Sequence, residues 1–207
     1  ASDVYKRQKL YNTLWYIGFI VKEKIMAEFH TINIVGRKEE LPVLALPSGV
    51  RIAFFNLHGN QDLTEYCGKK LAERIKEYAP DVEVLITAES KGLQLTHVVA
   101  RELNQKFYAV ARKTVKLYMQ DGISSTVKSI TTGGEQTLYL SAHDAQLLKG
   151  KRVGIVDDVI STGGSLKGLE ALVEKAGGII TVKATVLAEG EAAERGDIIF
   201  LETIPLL

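Results

Sequence analysis

Two adjacent carboxylates and a run of glycine and hydroxyl residues stand close together in this 207-residue chain, in Arg152-Val-Gly-Ile-Val-Asp-Asp-Val-Ile-Ser-Thr-Gly-Gly-Ser-Leu166. The apolar start reads as a buried strand ending in Asp157 and Asp158, and a helix follows from Ser165. Ligands of open α/β sheets bind outside the carboxyl ends of strands. Gly163 and Gly164 let backbone N–H groups converge, the helix start adds positive potential, and Ser161, Thr162 and Ser165 supply hydroxyls. That combination is a cradle for a phosphate. The carboxylates cannot coat the same phosphate without repulsion. They suit a neutral or cationic group attached to it, either ribose hydroxyls or Mg²⁺ held through water. The pattern spells a 5-phosphorylated ribose.

Val153 to Leu166 resembles the signature with which type I phosphoribosyltransferases bind phosphoribosyl pyrophosphate. The resemblance implies that Asp157 and Asp158 hold the ribose 2′- and 3′-hydroxyls, and Mg²⁺ through water. It gives the 5′-phosphate to Ser161, Thr162, Gly163, Gly164 and Ser165. Glu89-Ser90-Lys91-Gly92, at the end of an earlier apolar run, resembles the short pyrophosphate loop of the adenine branch, with Lys91 where Arg is commoner. Ala111-Arg112-Lys113 resembles the Arg-Lys pair that opens that branch's catalytic loop, and Lys116 and Lys128 are further cations on it. Pyrophosphate leaves with several negative charges, which cations and Mg²⁺ must neutralise. Ser161 stands where the hypoxanthine-guanine branch has Asp and resembles the adenine and orotate branches instead; the Thr162-Gly163-Gly164 string favours adenine, and Val159 is the expected apolar shelf beneath the base. The hood of the adenine branch is only partly matched by Pro47-Ser-Gly-Val-Arg-Ile-Ala-Phe-Phe55, where Phe54 or Phe55 is placed to stack on the base. Glu135 and Tyr139 are the candidates for handling the proton of the base.

The implied reaction transfers the 5-phosphoribosyl group from phosphoribosyl pyrophosphate to a purine-type nucleobase, through a cationic, oxocarbenium-like transition state. It needs positioning and exclusion of water, and hence a closing loop. The implied partners are these small molecules and a second copy of the chain in a homodimer. The alternative is a non-catalytic sensor that keeps the phosphoribosyl pyrophosphate site for regulation.

These residues need a scaffold. Thr31–Val35, Leu41–Leu46 and Val50–Phe55 are short apolar runs broken by Gly and Pro, the mark of a small strand meander. A helix follows from about Asp62, the expected N-cap, until Pro80 stops it. Strands over 82–88, 107–111, 152–156, 179–187 and 197–201 then alternate with helices over 93–103 and 165–176. Such alternation implies a parallel, Rossmann-like α/β sheet covered by helices on both faces. Residues 113–151 break the pattern and read as a flexible catalytic loop, with 127–130 and 136–140 as a two-strand excursion. The expected organisation is a hood over 26–60 and a core over 61–207.

Composition bounds the rest. Hydrophobic residues make up 46% and charged residues 25%, as in globular proteins with a proper core. The single cysteine, Cys67, excludes a disulfide framework and fits a reducing, cytoplasmic compartment. The net charge of +1 divides unevenly: residues 1–25 carry five Lys/Arg against two acids, which leaves 26–207 at −2 and gives no surface for nucleic acid. Leu10–Val21 is too short to span a bilayer, which needs about 20 apolar residues. Residues 1–25 are expected to be a non-native or disordered extension, with a membrane-facing or docking amphipathic helix as the other reading. Gly150-Lys151 lacks the earlier glycine of a Walker loop, and there is no Gly-x-Ser-x-Gly elbow.

Overall fold

The computed structural model describes residues 28–46, 49–117, 119, 121–128 and 135–207; the expected extension over 1–25 lies outside them. Strands β1 (Phe29–Ile34), β2 (Arg37–Ala45) and β3 (Arg51–Ala53) form the antiparallel meander read from the sequence. Helix α1 (Gln61–Tyr78) follows, then β4 (Val84–Ala88), α2 (Gly92–Glu102) and β5 (Tyr108–Ala111). Next come β6 (Ile123–Lys128), β7 (Glu135–Leu140) and a short α3 (Ala142–Leu148). The chain finishes with β8 (Arg152–Ile160), α4 (Gly164–Lys175), β9 (Ile179–Glu189), a 3₁₀ turn (Gly190–Glu194) and β10 (Ile199–Ile204).

The five-stranded sheet runs β10-β9-β8-β4-β5, and its neighbours are all parallel. From β4 the chain moves outward to the edge strand β5, then returns to place β8 on the other side of β4. The connections diverge at these two strands, so their carboxyl ends open a crevice at the topological switch point. Apolar side chains cover both faces. On one, Leu63, Leu71 and Ile75 of α1 and Leu95 and Val99 of α2 pack with Ile32, Ile34, Leu41 and Phe55 of the meander segment. On the other, Leu169, Leu172 and Val173 of α4 pack with Leu138, Leu140 and Leu148. Cys67 is fully buried in the first core, and burial pushes its thiol up to about 12, so it is a packing residue rather than a nucleophile.

Several expected boundaries move. The cap of α1 is Asn60, whose side chain accepts from the Leu63 N–H at 3.1 Å, instead of Asp62, which pairs with Arg37. Strand β8 continues past Val156, so Asp157 and Asp158 lie within it and Asp157 is in register with Thr185 of β9. The last strand starts at Ile199, because Asp197 is occupied by ion pairs with Lys183 and Arg195. Residues 113–151 hold more regular structure than the sequence suggested. Strands β6 and β7 pair antiparallel from Ile123↔Leu140 to Lys128↔Glu135, and α3 is capped by Ser141, whose Oγ accepts from the Asp144 N–H at 3.1 Å. The hairpin rests on α4 where Gly168 permits close approach: a Cβ there would meet Leu138 Cδ1 at 2.9 Å. Lys175 Nζ adds a hydrogen bond to the Ser124 carbonyl at 2.6 Å.

Candidate active site

The phosphate cradle forms as its residue types dictate. After Ile160 the chain turns through Ser161 and Thr162 and enters α4 at Gly163, which caps the helix with φ +76°, the left-handed region that glycine adopts without a Cβ penalty. Asp157 and residues 159–166 line a cavity of about 170 Å³ above this turn, and Val127 and Gln136 of the hairpin close it from the side. The structure therefore brings Asp157, Val159, Ser161, Thr162, Gly163, Gly164 and Ser165 into one site.

The two acids differ in setting. Asp158 is buried at 4% exposure, and its Oδ2 has no hydrogen-bond partner among the described residues. Its N–H donates to Asp157 Oδ1 at 2.9 Å. Burial first, and then the Asp158 charge, push Asp157 up to about 8, against the opposing pull of the Asp158 N–H and the Lys113 ammonium. Two carboxylates this close do not ionise together without a counter-charge or strong donors. The pair is thus built to receive hydroxyl donors or a cation.

Across the crevice, the loop after β4 carries Glu89, Ser90, Lys91 and Gly92, with a cis peptide between Glu89 and Ser90. Gly92 lies against the carboxylate strand: a Cβ there would sit 2.2 Å from Thr87 Oγ1 and 3.4 Å from Asp157 Oδ1. Thr87 Oγ1 is another buried polar atom without a partner among the described residues. Glu89 braces the Arg112 guanidinium and the backbone that follows it. Its carboxylate accepts from Arg112 Nη1 at 2.9 Å and from the Lys113 N–H at 2.7 Å. Burial works to raise its pKa, but those two hydrogen bonds prevail and leave it below the ordinary carboxylate range. Arg112 also exchanges backbone hydrogen bonds with Tyr139 at 2.7 and 2.8 Å, which ties the end of β5 to the hairpin. Lys91 Nζ lies 5.1 Å from the centre of the Phe54 ring, and Ser90 Oγ is 3.5 Å from His58 Nε2. Lys116 is exposed, and its charge acts on Glu89.

Some expected residues fall elsewhere. Phe55 is 2% exposed and packs in the core, so it offers no face to a base; Phe54, just past β3, faces Lys91 of the loop instead. Glu135 begins β7 opposite Lys128, is exposed, and does not line the cradle cavity, whereas its neighbour Gln136 does. Tyr139 faces a separate cavity with Val115 and Met119. Sequence reasoning passed over Gln136 and Val127 because only the hairpin's docking on α4 brings them to residue 161 and its neighbours.

Mg²⁺ fits what is present in one way. Among the described residues no three or more His, Cys, Asp or Glu side chains gather as a cage. The unpartnered Asp158 Oδ2 and the Asp157 carboxylate are hard oxygen donors that suit the ion through water while substrate oxygens complete its shell.

A parallel sheet with its crevice at the switch point, two acids on the central strand and a glycine- and hydroxyl-rich turn after it define an α/β protein with a candidate anion site at its strand ends. The phosphoribosyl transferase domain family matches residues 56–202, and the chain belongs to that family. It is 32% identical over 151 residues to a xanthine phosphoribosyltransferase of Exiguobacterium sp., covering 70% of this chain and 76% of that one. It is 36% identical over 131 residues to an adenine phosphoribosyltransferase of Petrotoga mobilis, covering 63% and 70%. Its fold is similar to the crystal structure of adenine phosphoribosyltransferase from Thermoanaerobacter pseudethanolicus, with a TM-score of 0.60 at 22% identity over 89% of this chain and 99% of that one. No helix among the described residues is long and apolar enough to cross a membrane.

Proposed function

We propose that the protein transfers the 5-phosphoribosyl group from phosphoribosyl pyrophosphate to a purine, with adenine as the base, and releases pyrophosphate. The observation that carries this reading is the pair of half-buried Asp157 and buried Asp158 on β8, beside the cradle of residues 161–165. The acids accept hydrogen bonds from the ribose 2′- and 3′-hydroxyls. The cradle holds the 5′-phosphate through backbone N–H groups, hydroxyls and the N-terminus of α4. C1 of the ribose then lies toward Gly92, between the loop after β4 and the cations Arg112 and Lys113. The C1–O bond breaks as pyrophosphate departs, and positive charge develops on the sugar. Lys91, Arg112, Lys113 and Lys116 receive the leaving anion, and Glu89 keeps the Arg112 guanidinium aimed while it holds the backbone at Lys113. Mg²⁺ bound through water at Asp157 and Asp158 supplies neutralisation of pyrophosphate charge. Val159 forms the apolar shelf for the base, and the hairpin excludes water from the cavity.

Support for adenine comes from Ser161 in place of an acid and from the adenine-specific name of the Petrotoga mobilis relative. A non-catalytic sensor has less support, since it has no need for cations braced beside the leaving-group position. We propose a homodimer and a cytoplasmic location. The test of the base is a comparison of kcat/KM for adenine, hypoxanthine, guanine and xanthine with phosphoribosyl pyrophosphate and Mg²⁺. Adenine is expected to lead by at least tenfold; xanthine in first place would overturn the base assignment and leave the donor assignment standing.

A further inference from the structure

The cradle binds a strongly negative group, yet among the described residues its cavity is lined by no Lys or Arg and by one carboxylate, Asp157. A phosphate monoester carries a charge of roughly −1.5 to −2 near neutral pH. A cation stands behind the loop, outside the cavity lining. Arg195, just after the 3₁₀ turn that follows β9, places Nη1 3.0 Å from the point where a Cβ on Gly163 would sit.

The guanidinium is held in that position from its other edge. Nε donates to Asp197 Oδ1 at 2.8 Å and Nη2 to Asp197 Oδ2 at 2.7 Å, a two-point clamp that fixes the plane of the group. Asp197 also pairs with Lys183 of β9, and Lys183 pairs at 2.8 Å with Glu170 of α4. The chain of charges thus starts on α4, crosses β9 and the approach to β10, and returns to Gly163, the cap of the same helix. The Arg195 hydrogen bonds, followed by those from Lys183, hold Asp197 well below the usual carboxylate range, so the clamp stays ionised through the neutral range. Nη1 is the donor left over: it has no acceptor among the described residues.

We propose that Arg195 is a positioning residue for the 5′-phosphate: its Nη1 edge fixes the left-handed Gly163 cap from outside and supplies the cradle with the positive charge that its lining lacks. This rests on the phosphoribosyl-donor reading of the cradle and adds to it a residue outside the motif. Arg195 does not touch the reacting atoms, so it acts on donor affinity and leaves the bond-breaking step alone. Residue 163 is glycine on account of its positive φ, and a side chain there would also press on the guanidinium.

The test uses the full chain and ribose 5-phosphate as probe, with calorimetric titration of wild type, Arg195→Gln, Arg195→Lys and Asp197→Asn, and steady-state kinetics on each. Loss of one positive charge beside the cradle predicts that Arg195→Gln raises the Kd for ribose 5-phosphate and the KM for phosphoribosyl pyrophosphate about tenfold, with kcat within about twofold of wild type. Arg195→Lys should recover part of the affinity, and Asp197→Asn should fall between wild type and Arg195→Gln. A role limited to packing would lower the melting temperature without this KM-against-kcat split or the rescue by Lys. If Arg195→Gln fails to fold, the Lys and Asn variants carry the same prediction in weaker form. Wild-type binding of ribose 5-phosphate with unchanged affinity in the variants would overturn this inference alone. No binding by the wild type would overturn the donor reading and the inference together.

Discussion

The two walls of the crevice solve opposite problems. In the proposed reaction the β8 wall meets the substrate part that stays bound throughout, and it is built from short, local parts: two acids, backbone donors, hydroxyls and a helix start, all between residues 157 and 165. In the proposed reaction the β4–β5 wall meets the group that leaves. It is built from long cationic side chains, of which Arg112 is held by one carboxylate, Glu89, from the neighbouring strand end. Backbone donors on a rigid turn give fixed geometry. Cations on long stems give charge that follows a moving anion. A site that holds one phosphate and expels another needs both kinds of wall.

Breaking the first wall should have the largest effect. Replacing both acids, Asp157→Asn with Asp158→Asn, removes two charge-assisted contacts to the ribose and should weaken donor binding about 100-fold or more, with the fold retained by circular dichroism. Unchanged donor affinity would refute the ribose assignment. On the opposite wall, Arg112→Ala with Lys113→Ala should lower kcat about 100-fold while ribose 5-phosphate still binds as in wild type, since that ligand has no pyrophosphate. A matching loss of ribose 5-phosphate affinity would erase the division between the walls. Glu89→Gln keeps the cations but loosens the hold on Arg112, and about a tenfold loss in kcat is the expected size of losing one charge-assisted brace.

The smallest effect is on stability, and its sign follows from burial. Asp157 is pushed up to about 8, above the value near 4 of an unfolded aspartate. The folded state therefore holds that proton more tightly than the unfolded chain. The resulting stabilisation of the metal-free, ligand-free protein is complete below about pH 4 and is lost as pH rises through about 8. Urea unfolding between pH 4 and pH 9 should show this decline in wild type and a flatter profile in Asp157→Asn. Deprotonation leaves two acceptors for the ribose hydroxyls, so ribose 5-phosphate should bind more tightly as pH rises through the same range.

The first wall was legible in the sequence because it is contiguous. Strand, acids, glycines and helix start follow one another within fifteen residues, and local chemistry sets their geometry. The parallel sheet was legible for a similar reason, since its strands are short aliphatic runs separated by helices. What escaped notice depends on contacts distant in the chain. Arg195 reaches Gly163 from the far end of β9, with no motif to announce it. Gln136 and Val127 reach the cavity only because the hairpin settles over Gly168. Phe54 and Phe55 are chemically alike, and only the course of the chain just after β3 decides that Phe55 goes into the core. Helix α3 is seven residues long, too short for a periodic signal, though Ser141 followed by Asp144 marks its cap.

The most direct test of the central claim is a single reaction: the full chain with phosphoribosyl pyrophosphate, Mg²⁺ and adenine, followed by pyrophosphate release and by chromatography of the nucleotide formed. The account predicts equal amounts of pyrophosphate and adenine ribonucleoside 5′-phosphate, with release abolished when the base is left out. Tight binding of the donor with no release in the presence of any purine would contradict it.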